Sequence, residues 1–415
     1  MGDEGRFKRY EQGQGSLLPS FVSDALDASD PAFFINDVVD SLDLKRFEER
    51  YSTDGEHAYS PRLLLKLWLY AATQGVYSGR EIARRLRRDL GFRYLAGDGA
   101  QPDFRTINRF RVRHREDFVW VLRATVDLAR RSGMAKLGVV AVDGTKVRAN
   151  TSRHKAMSYG RMRKEEQRLE AEVQEILRRM EDVNRREDDE HGSDGDGGGG
   201  LPAELQSRAE RLAKIRALRE QLEQERGAKV EDRHQKSFAD PEAQMMQTSD
   251  GALVYAYNAQ AAVSEDGLIV ATGLTAAVRD TEHLLPMLDA VTENTSEEIG
   301  TVLADNGYLT EANLEALAQR KQRGLIAVSR EFRLPRRWPK GPQTRRMHRI
   351  LRLPWAKALY GRRKTQGERQ FAEVKHAMGF RRFMLRGKAK VRGEWDLVSA
   401  AFNLRRLQAM TLAPA

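Results

Sequence analysis

Two aspartates and one glutamate, far apart in the chain, stand in settings that suit metal-dependent chemistry. Each aspartate closes an apolar, β-like run: Leu137-Gly-Val-Val-Ala-Val-Asp143 and Thr301-Val-Leu-Ala-Asp305. Gly144 follows the first and Asn306-Gly307 the second. The glutamate, Glu368, lies in a strongly basic, helix-like segment from Tyr360 to Lys375. Two strand-end aspartates and a helical glutamate can hold two Mg²⁺ (or Mn²⁺) ions about 3.5–4 Å apart. Such a pair neutralises a pentavalent phosphate and activates a water or hydroxyl. Mg²⁺ needs few protein carboxylates, because water and phosphate oxygens complete its octahedron. In this scheme Asp143 bridges both ions, Asp305 holds one and Glu368 the other. The chemistry implied is cleavage and transfer of phosphodiester bonds.

Other assignments compete. An aspartate at a strand end is also a common turn or helix-cap residue. Glu373 is a rival third acid. At 100° per residue it points about 140° away from Glu368, so only one of the two can face a site. Asp280 is a further candidate. Asp240 is another, but Asp240-Pro241 reads as a turn and favours a structural role. Arg363, Lys364, Arg369 and Lys375 flank Glu368. Lys375 lies two helical turns beyond it, on roughly the same face. These cations are placed to hold phosphates.

The elements that must position these groups can be read from composition and periodicity. The chain has 415 residues, 40% of them hydrophobic, and a net charge of +11. That is enough for two or three domains and favours a polyanionic partner. There are no cysteines, which excludes disulfides, zinc–thiolate sites and thiol nucleophiles. The first residues carry no apolar signal core and no run of apolar residues is long enough to span a bilayer, so a soluble cytoplasmic protein is expected. From Arg330 to Lys364 there are 13 Lys/Arg against one acid, Glu331. Pro335, Pro339, Pro342 and Pro354 predict an extended or broken loop there, suited to phosphate contacts.

Residues 1–30 read as a flexible arm and 31–130 as a helical domain. Ser60-Pro61 caps a helix through Leu64, Leu67 and Trp68, Ser78 opens a second and Pro102-Asp103 a third. Arg84, Arg105 and Arg109 lie on the arginine-rich faces of the last two. Short helices of this kind fit a helix-turn-helix-like DNA-binding module, with an ordinary helical bundle as the alternative. Residues 131–410 read as one catalytic domain with a helical hairpin inserted over 155–235. Leu169, Val173, Ile176, Leu177 and Met180 mark one stripe of the hairpin; Leu205, Leu212, Ile215, Leu218 and Leu222 mark the other. Gly192–Gly200 forms its tip. The hairpin suits a dimerisation or DNA-clamping arm, or equally a passive surface insertion. From residue 252 a strand hairpin, a helix from Asp280 to Leu288, the Asp305 strand, a helix, a strand and the Glu368 helix follow. This α/β order is that of an RNase H-like fold, in which the first and fourth strands lie side by side.

The chain resembles DDE transposases of bacterial insertion sequences, most closely the insertion-sequence family numbered eleven-eighty-two. The resemblance runs from about residue 55 to 410. It is carried by Ser60-Pro-Arg-Leu-Leu-Leu, Ile82-Ala-Arg-Arg, Pro102-Asp-Phe-Arg-Thr-Ile-Asn-Arg-Phe-Arg111 and Val142-Asp-Gly-Thr-Lys-Val-Arg-Ala-Asn150. Asp240-Pro241, Tyr257-Asn-Ala-Gln260, Leu303-Ala-Asp-Asn-Gly-Tyr308, Gly379-Phe-Arg-Arg-Phe383 and Arg386-Gly387 complete it. It implies that Asp143, Asp305 and Glu368 are the catalytic triad. The wider group carries a signature of Tyr, two residues, Arg, three residues, Glu, six residues, Lys. Tyr360, Arg363, Glu368 and Lys375 follow it, except that four residues separate Arg363 from Glu368; Lys364 would restore that gap but spoil the first. The resemblance implies an enzyme that binds double-stranded DNA at the terminal inverted repeats of its element and cleaves there. The freed 3′-hydroxyls would attack target DNA, in a synapse of at least two subunits. Two rivals remain: a DNA-binding protein that has lost catalysis, and an RNase H-like nuclease without strand transfer.

Overall fold

A computed structural model of the chain describes residues 21–52, 58–97, 99–191, 203–248, 251–329 and 341–412. Most of the N-terminal arm, the Gly-rich hairpin tip and the 330–340 part of the basic stretch lie outside the described residues. The chain divides into two compact units. One runs to Thr125 and resumes at Leu397; the other spans Val126–Asp396.

The first unit is helical. Its elements are α1 (Pro31–Asp40), α2 (Lys45–Glu48), α3 (Pro61–Thr73), α4 (Gly79–Arg85), α5 (Leu90–Ala96), α6 (Phe104–Arg113) and the start of α7 (Phe118–Arg131). Asp30, Asp89 and Asp103 cap α1, α5 and α6 by accepting from backbone N–H groups one turn in. Ser60 makes no such bond; the ring of Pro61 starts α3 instead. Trp68 is buried on α3 and donates its indole N–H to the carbonyl of Ile107 at 3.0 Å, which ties α3 to α6. Arg84, Arg105 and Arg109 are exposed on α4 and α6. Arg84 pairs with Glu81, and the Arg105 guanidinium lies 5.7 Å from the Phe104 ring centre.

A pH dependence is built into this unit. His114 is fully buried, with Nδ1 3.0 Å from Asp117 Oδ2 and Nε2 3.1 Å from the Tyr51 hydroxyl. A neutral ring satisfies both neighbours, donating from Nδ1 and accepting at Nε2. Burial lowers the His114 pKa, against the pull of Asp117. The folded state therefore gives up a proton that the unfolded chain still binds near neutrality. Its contribution to stability is intact above the unfolded pKa and is lost as pH falls towards the folded one. Thermal unfolding of this unit should move to lower temperature between pH 7 and pH 5, and His114→Gln should flatten that slope. An unchanged slope would assign it elsewhere.

The second unit is built on a six-stranded sheet with helices. Its strands are β1 (Val139–Arg148), β4 (Gln244–Gln247), β5 (Leu253–Val263), β6 (Ile269–Thr275), β7 (Thr301–Ala304) and β8 (Arg323–Ile326). β4 and β6 both pair with β5, and the order continues β5-β1-β7-β8. The pairings β4/β5, β5/β6 and β1/β5 are antiparallel, whereas β1/β7 and β7/β8 are parallel. Strands β1, β7 and β8 are runs of apolar residues because this part of the sheet is covered. Val140, Val142, Val302, Leu303 and Leu325 pack with Leu284, Leu288 and Val291 of α10 (Leu284–Thr295) and with Leu314 and Leu317 of α11 (Glu311–Gln319).

A two-stranded ribbon, β2 (Ala156–Ser158) with β3 (Gln235–Ser237), forms the base of the insertion. From it rise α8 (Tyr159–His191) and α9 (Ala203–Arg226). Arg208 pairs with Glu172 and Arg219 with Glu166, so the two helices run antiparallel. Met162, Leu169, Leu212, Ile215 and Leu218 are buried between them.

Three local expectations are corrected. The helix expected from Asp280 begins at Leu284, so Asp280 lies in the segment before it. Pro342 and Pro354 do not break the basic stretch into loop; each stands at the start of a helix, α12 (Pro342–Ile350) and α13 (Pro354–Gly361), where its missing N–H costs nothing. The Glu368 segment is not regular α-helix. It runs as a wide π turn (Lys364–Glu368), α14 (Arg369–Ala372) and a second π turn (Glu373–Ala377). Helix α15 (Lys388–Leu412) follows. Among the described residues, no helix is long and apolar enough to cross a membrane.

Candidate active site

The parallel register of β1 and β7 ends at Val142 opposite Ala304. The next residues, Asp143 and Asp305, therefore leave adjacent strands side by side, on backbones about 4.8 Å apart. Asp143 is not at a strand end as expected. β1 continues to Arg148 because β5 goes on pairing with it, Asp143 opposite Ala261 and Gly144 opposite Gln260. Asp143 is 8% exposed and accepts the Gly144 N–H at 2.8 Å. Asp305 accepts the Gly307 N–H at 2.8 Å and so caps the short 3-10 turn Asn306–Tyr308.

The Glu368 segment lies against β1. Gln366, Gly367, Gln370, Phe371 and Val374 form its buried face. The Phe371 ring stacks on Trp395 at 6.2 Å, and Trp395 donates its indole N–H to the Gln260 carbonyl on β5. Gly367 permits the approach: a Cβ there would lie 3.3 Å from Asp143 Oδ2. Arg363 then joins two of the acids, with one guanidinium nitrogen 3.5 Å from Asp143 Oδ2 and another 2.5 Å from Glu368 Oε1.

The wide turn gives a physical account of the extra residue between Arg363 and Glu368. In a π turn, residues five apart come together, as residues four apart do in an α-helix. Arg363 and Glu368 meet across such a turn, while Lys364 is exposed. Lys375 reaches β1, donating to Thr145 Oγ1 at 2.5 Å and to the Lys146 carbonyl at 3.2 Å.

The acids are electrostatically crowded. Burial and then the charge of Asp305 push the Asp143 pKa up to about 7, against the pull of Arg363, and Glu368 adds to the rise. Burial also raises Asp305. Asp280 belongs to the same cluster. Its Oδ1 accepts from Asn258 Nδ2 at 2.5 Å and Gln260 Nε2 at 2.7 Å, and Lys146 Nζ lies 3.5 Å away. Asp280 is thus engaged by three donors, and Lys146 is drawn in beside the acids. Asp240 lies elsewhere, accepting from the Tyr257 hydroxyl at 2.7 Å and the Gly387 N–H at 3.2 Å, which ties β5 to the loop before α15.

Sequence reasoning assigned no role to Lys146, Asn258, Gln260 or Gly367. Asn258 and Gln260 are two apart on a strand, hence on one face, and are polar within an apolar run; that signal was available. Gly144 makes the fit possible. A Cβ there would come within 3.0 Å of Asn258 Oδ1 and Asp280 Oδ1 and would clash with Gln260 Nε2. Gly144→Ala should therefore cost about 1–3 kcal/mol by overpacking and lower any strand cleavage at least tenfold. Thermal unfolding and plasmid nicking would check this; wild-type values in both would show that the network yields freely.

The donor set suits a hard cation. All the candidate ligands are carboxylate oxygens, without His or Cys, as Mg²⁺ and Mn²⁺ prefer. Among the described residues, no three such side chains converge closely enough, as they stand, to hold one ion. Arg363 supplies the positive charge between Asp143 and Glu368.

Comparison with known proteins gives two matches. Residues 20–113 match the family described as Transposase domain (DUF772), and residues 225–404 match the family described as Transposase DDE domain. Together they indicate a DDE-type transposase of an insertion sequence. Transposases of this kind cleave and transfer DNA and generally use divalent metal ions. The DDE match covers Asp305 and Glu368 but begins after Asp143, which the register of β1 and β7 sets beside Asp305. No curated protein and no solved structure matches the chain.

Proposed function

We propose that the chain binds the terminal inverted repeats of its element, cleaves at the ends and joins the freed 3′-hydroxyls to target DNA. The observation that carries this reading is that Asp143 and Asp305 leave adjacent parallel strands side by side, with Glu368 joined to Asp143 through Arg363. We take the fold of the second unit to be RNase H-like; three antiparallel strands continuing into two parallel ones support that. Asp143, Asp305 and Glu368 would hold Mg²⁺ or Mn²⁺. When bound, the ions supply charge neutralisation at phosphorus and an acidified water.

The chain's own cations do the rest. Lys146, held by Asp280, lies beside the acids, and Lys375 is held on β1 at Thr145, two residues past Asp143; both orient a phosphate there. Arg84, Arg105 and Arg109 on the helical unit bind the ends. Two ends processed together call for at least a dimer. The experiment is incubation of the chain with Mg²⁺ and supercoiled plasmid, alongside labelled element ends and target DNA. Nicking together with joined product is expected. Nicking without joining would favour a nuclease, and neither product would favour a DNA-binding protein without catalysis.

A further inference from the structure

Arg363 stands where a cation is wanted. One guanidinium reaches both Asp143, at 3.5 Å, and Glu368, at 2.5 Å, and its side chain is only 13% exposed. It lies beside Tyr360, 5.8 Å from the ring centre, and also interacts with the Tyr360 hydroxyl. Yet the fit is incomplete. The approach to Asp143 is too long for a good hydrogen bond, and the buried Nε has no partner among the described residues. An arginine held by a permanent structural network would have its donors filled, because a buried unpaired donor is costly. The planar, two-armed guanidinium matches a phosphate at least as well as it matches two separated carboxylates.

We propose that Arg363 is a stand-in cation: it holds Asp143 and Glu368 in the DNA-free protein and moves to a DNA phosphate when a divalent ion takes its place. This rests on the reading of those acids as metal ligands. It adds that metal and DNA displace the same group, so that each favours the binding of the other by an equal factor. Without DNA, an incoming ion must compete with a charge already paired to two of its ligands. With DNA, the phosphate takes the guanidinium and the competition ends. The device would confine full metal loading to the complex in which it is useful.

The test is Mn²⁺ binding to the full chain, read from the paramagnetic signal of free Mn²⁺, with and without a short duplex. In the absence of DNA, Arg363→Gln should bind Mn²⁺ about tenfold more tightly than the wild type. The duplex should tighten Mn²⁺ binding by the wild type about tenfold more than it tightens binding by Arg363→Gln, where only ligation of the ion by phosphate oxygens remains. Arg363→Met replaces the Gln variant if circular dichroism shows that the latter fails to fold. Unchanged or weaker Mn²⁺ binding without Arg363 overturns the inference, as does a wild-type affinity that ignores DNA. The underlying reading fails separately: if Asp143→Asn with Asp305→Asn binds Mn²⁺ as the wild type does, the acids are not the metal site and the inference falls with them.

Discussion

Glu368→Ala should abolish strand cleavage while leaving the affinity for end DNA nearly intact. Loss of a preorganised group from a charge-stabilising site costs about 10²–10³-fold in rate, and loss of a metal ligand should reach at least the upper end of that range. The fold should tolerate the change. The Glu368 side chain is 51% exposed, and losing its ion pair leaves Arg363 with Asp143 still in reach. With Glu368 half-exposed, solvent screens its side of the pair, so unfolding should stay close to wild type and the lost rate can be assigned to chemistry. Glu373→Ala should keep most of the activity. Single-turnover cleavage of labelled ends, with binding measured by gel shift, decides between the two acids. Cutting by Glu368→Ala together with silence from Glu373→Ala would reverse the assignment.

The parts of this site that could be read from the sequence are those set by simple periodicities. A run such as Val139–Val142 or Thr301–Ala304 is apolar at every position because both faces of its strand are covered, and such runs stand out. The strand hairpin of β5 and β6 is equally plain, with Ser264–Gly267 as its turn. What could not be read depends on departures from those periodicities. Gly144 looks like the residue that ends a strand, but its real task is to let Gln260, Asn258 and Asp280 crowd against β1. Asp280 looks like the first residue of a helix. The helix starts later, and Asp280 turns its carboxylate to Asn258 and Gln260 instead. The spacing from Arg363 to Glu368 looks one residue too long only if the turn is assumed to be α-helical. A π turn shifts the spacing of the buried residues by only one position, and Gln366, Gly367 and Gln370 on its buried face are not apolar enough to show that shift in the hydrophobic pattern. The same applies to Pro342 and Pro354, which carry equal weight as helix starters and as loop formers until the neighbouring packing is known.

Asp143→Asn should make the sheet unit more stable at pH 8 and remove catalysis. The gain follows from the cost of keeping this carboxylate charged. In the unfolded chain it titrates near 3.8; in the fold, burial and the neighbouring Asp305 raise it to about 7. Below the unfolded value both states hold the proton and nothing is lost. As pH rises between the two values, the folded state keeps a proton that the unfolded state releases, and stability falls by about 1.4 kcal/mol per pH unit. Above the folded value the loss is complete, of order 4 kcal/mol for a shift of roughly three units. Asparagine holds no titrating proton there, so this share of the slope should vanish and the variant should unfold several degrees higher at pH 8, with little difference at pH 4. Arg363 retains Glu368 in the variant, which limits the offsetting loss. A divalent ion should have the same effect on the wild type by another route, raising its unfolding temperature far more at pH 8 than at pH 5, because only the charged carboxylates bind it. Thermal unfolding of both proteins across this range, with and without Mn²⁺, measures each arm. Equal stability of the two at every pH would mean that the charge on Asp143 is already compensated in the resting protein, and that Arg363 neutralises the site more completely than its 3.5 Å approach implies.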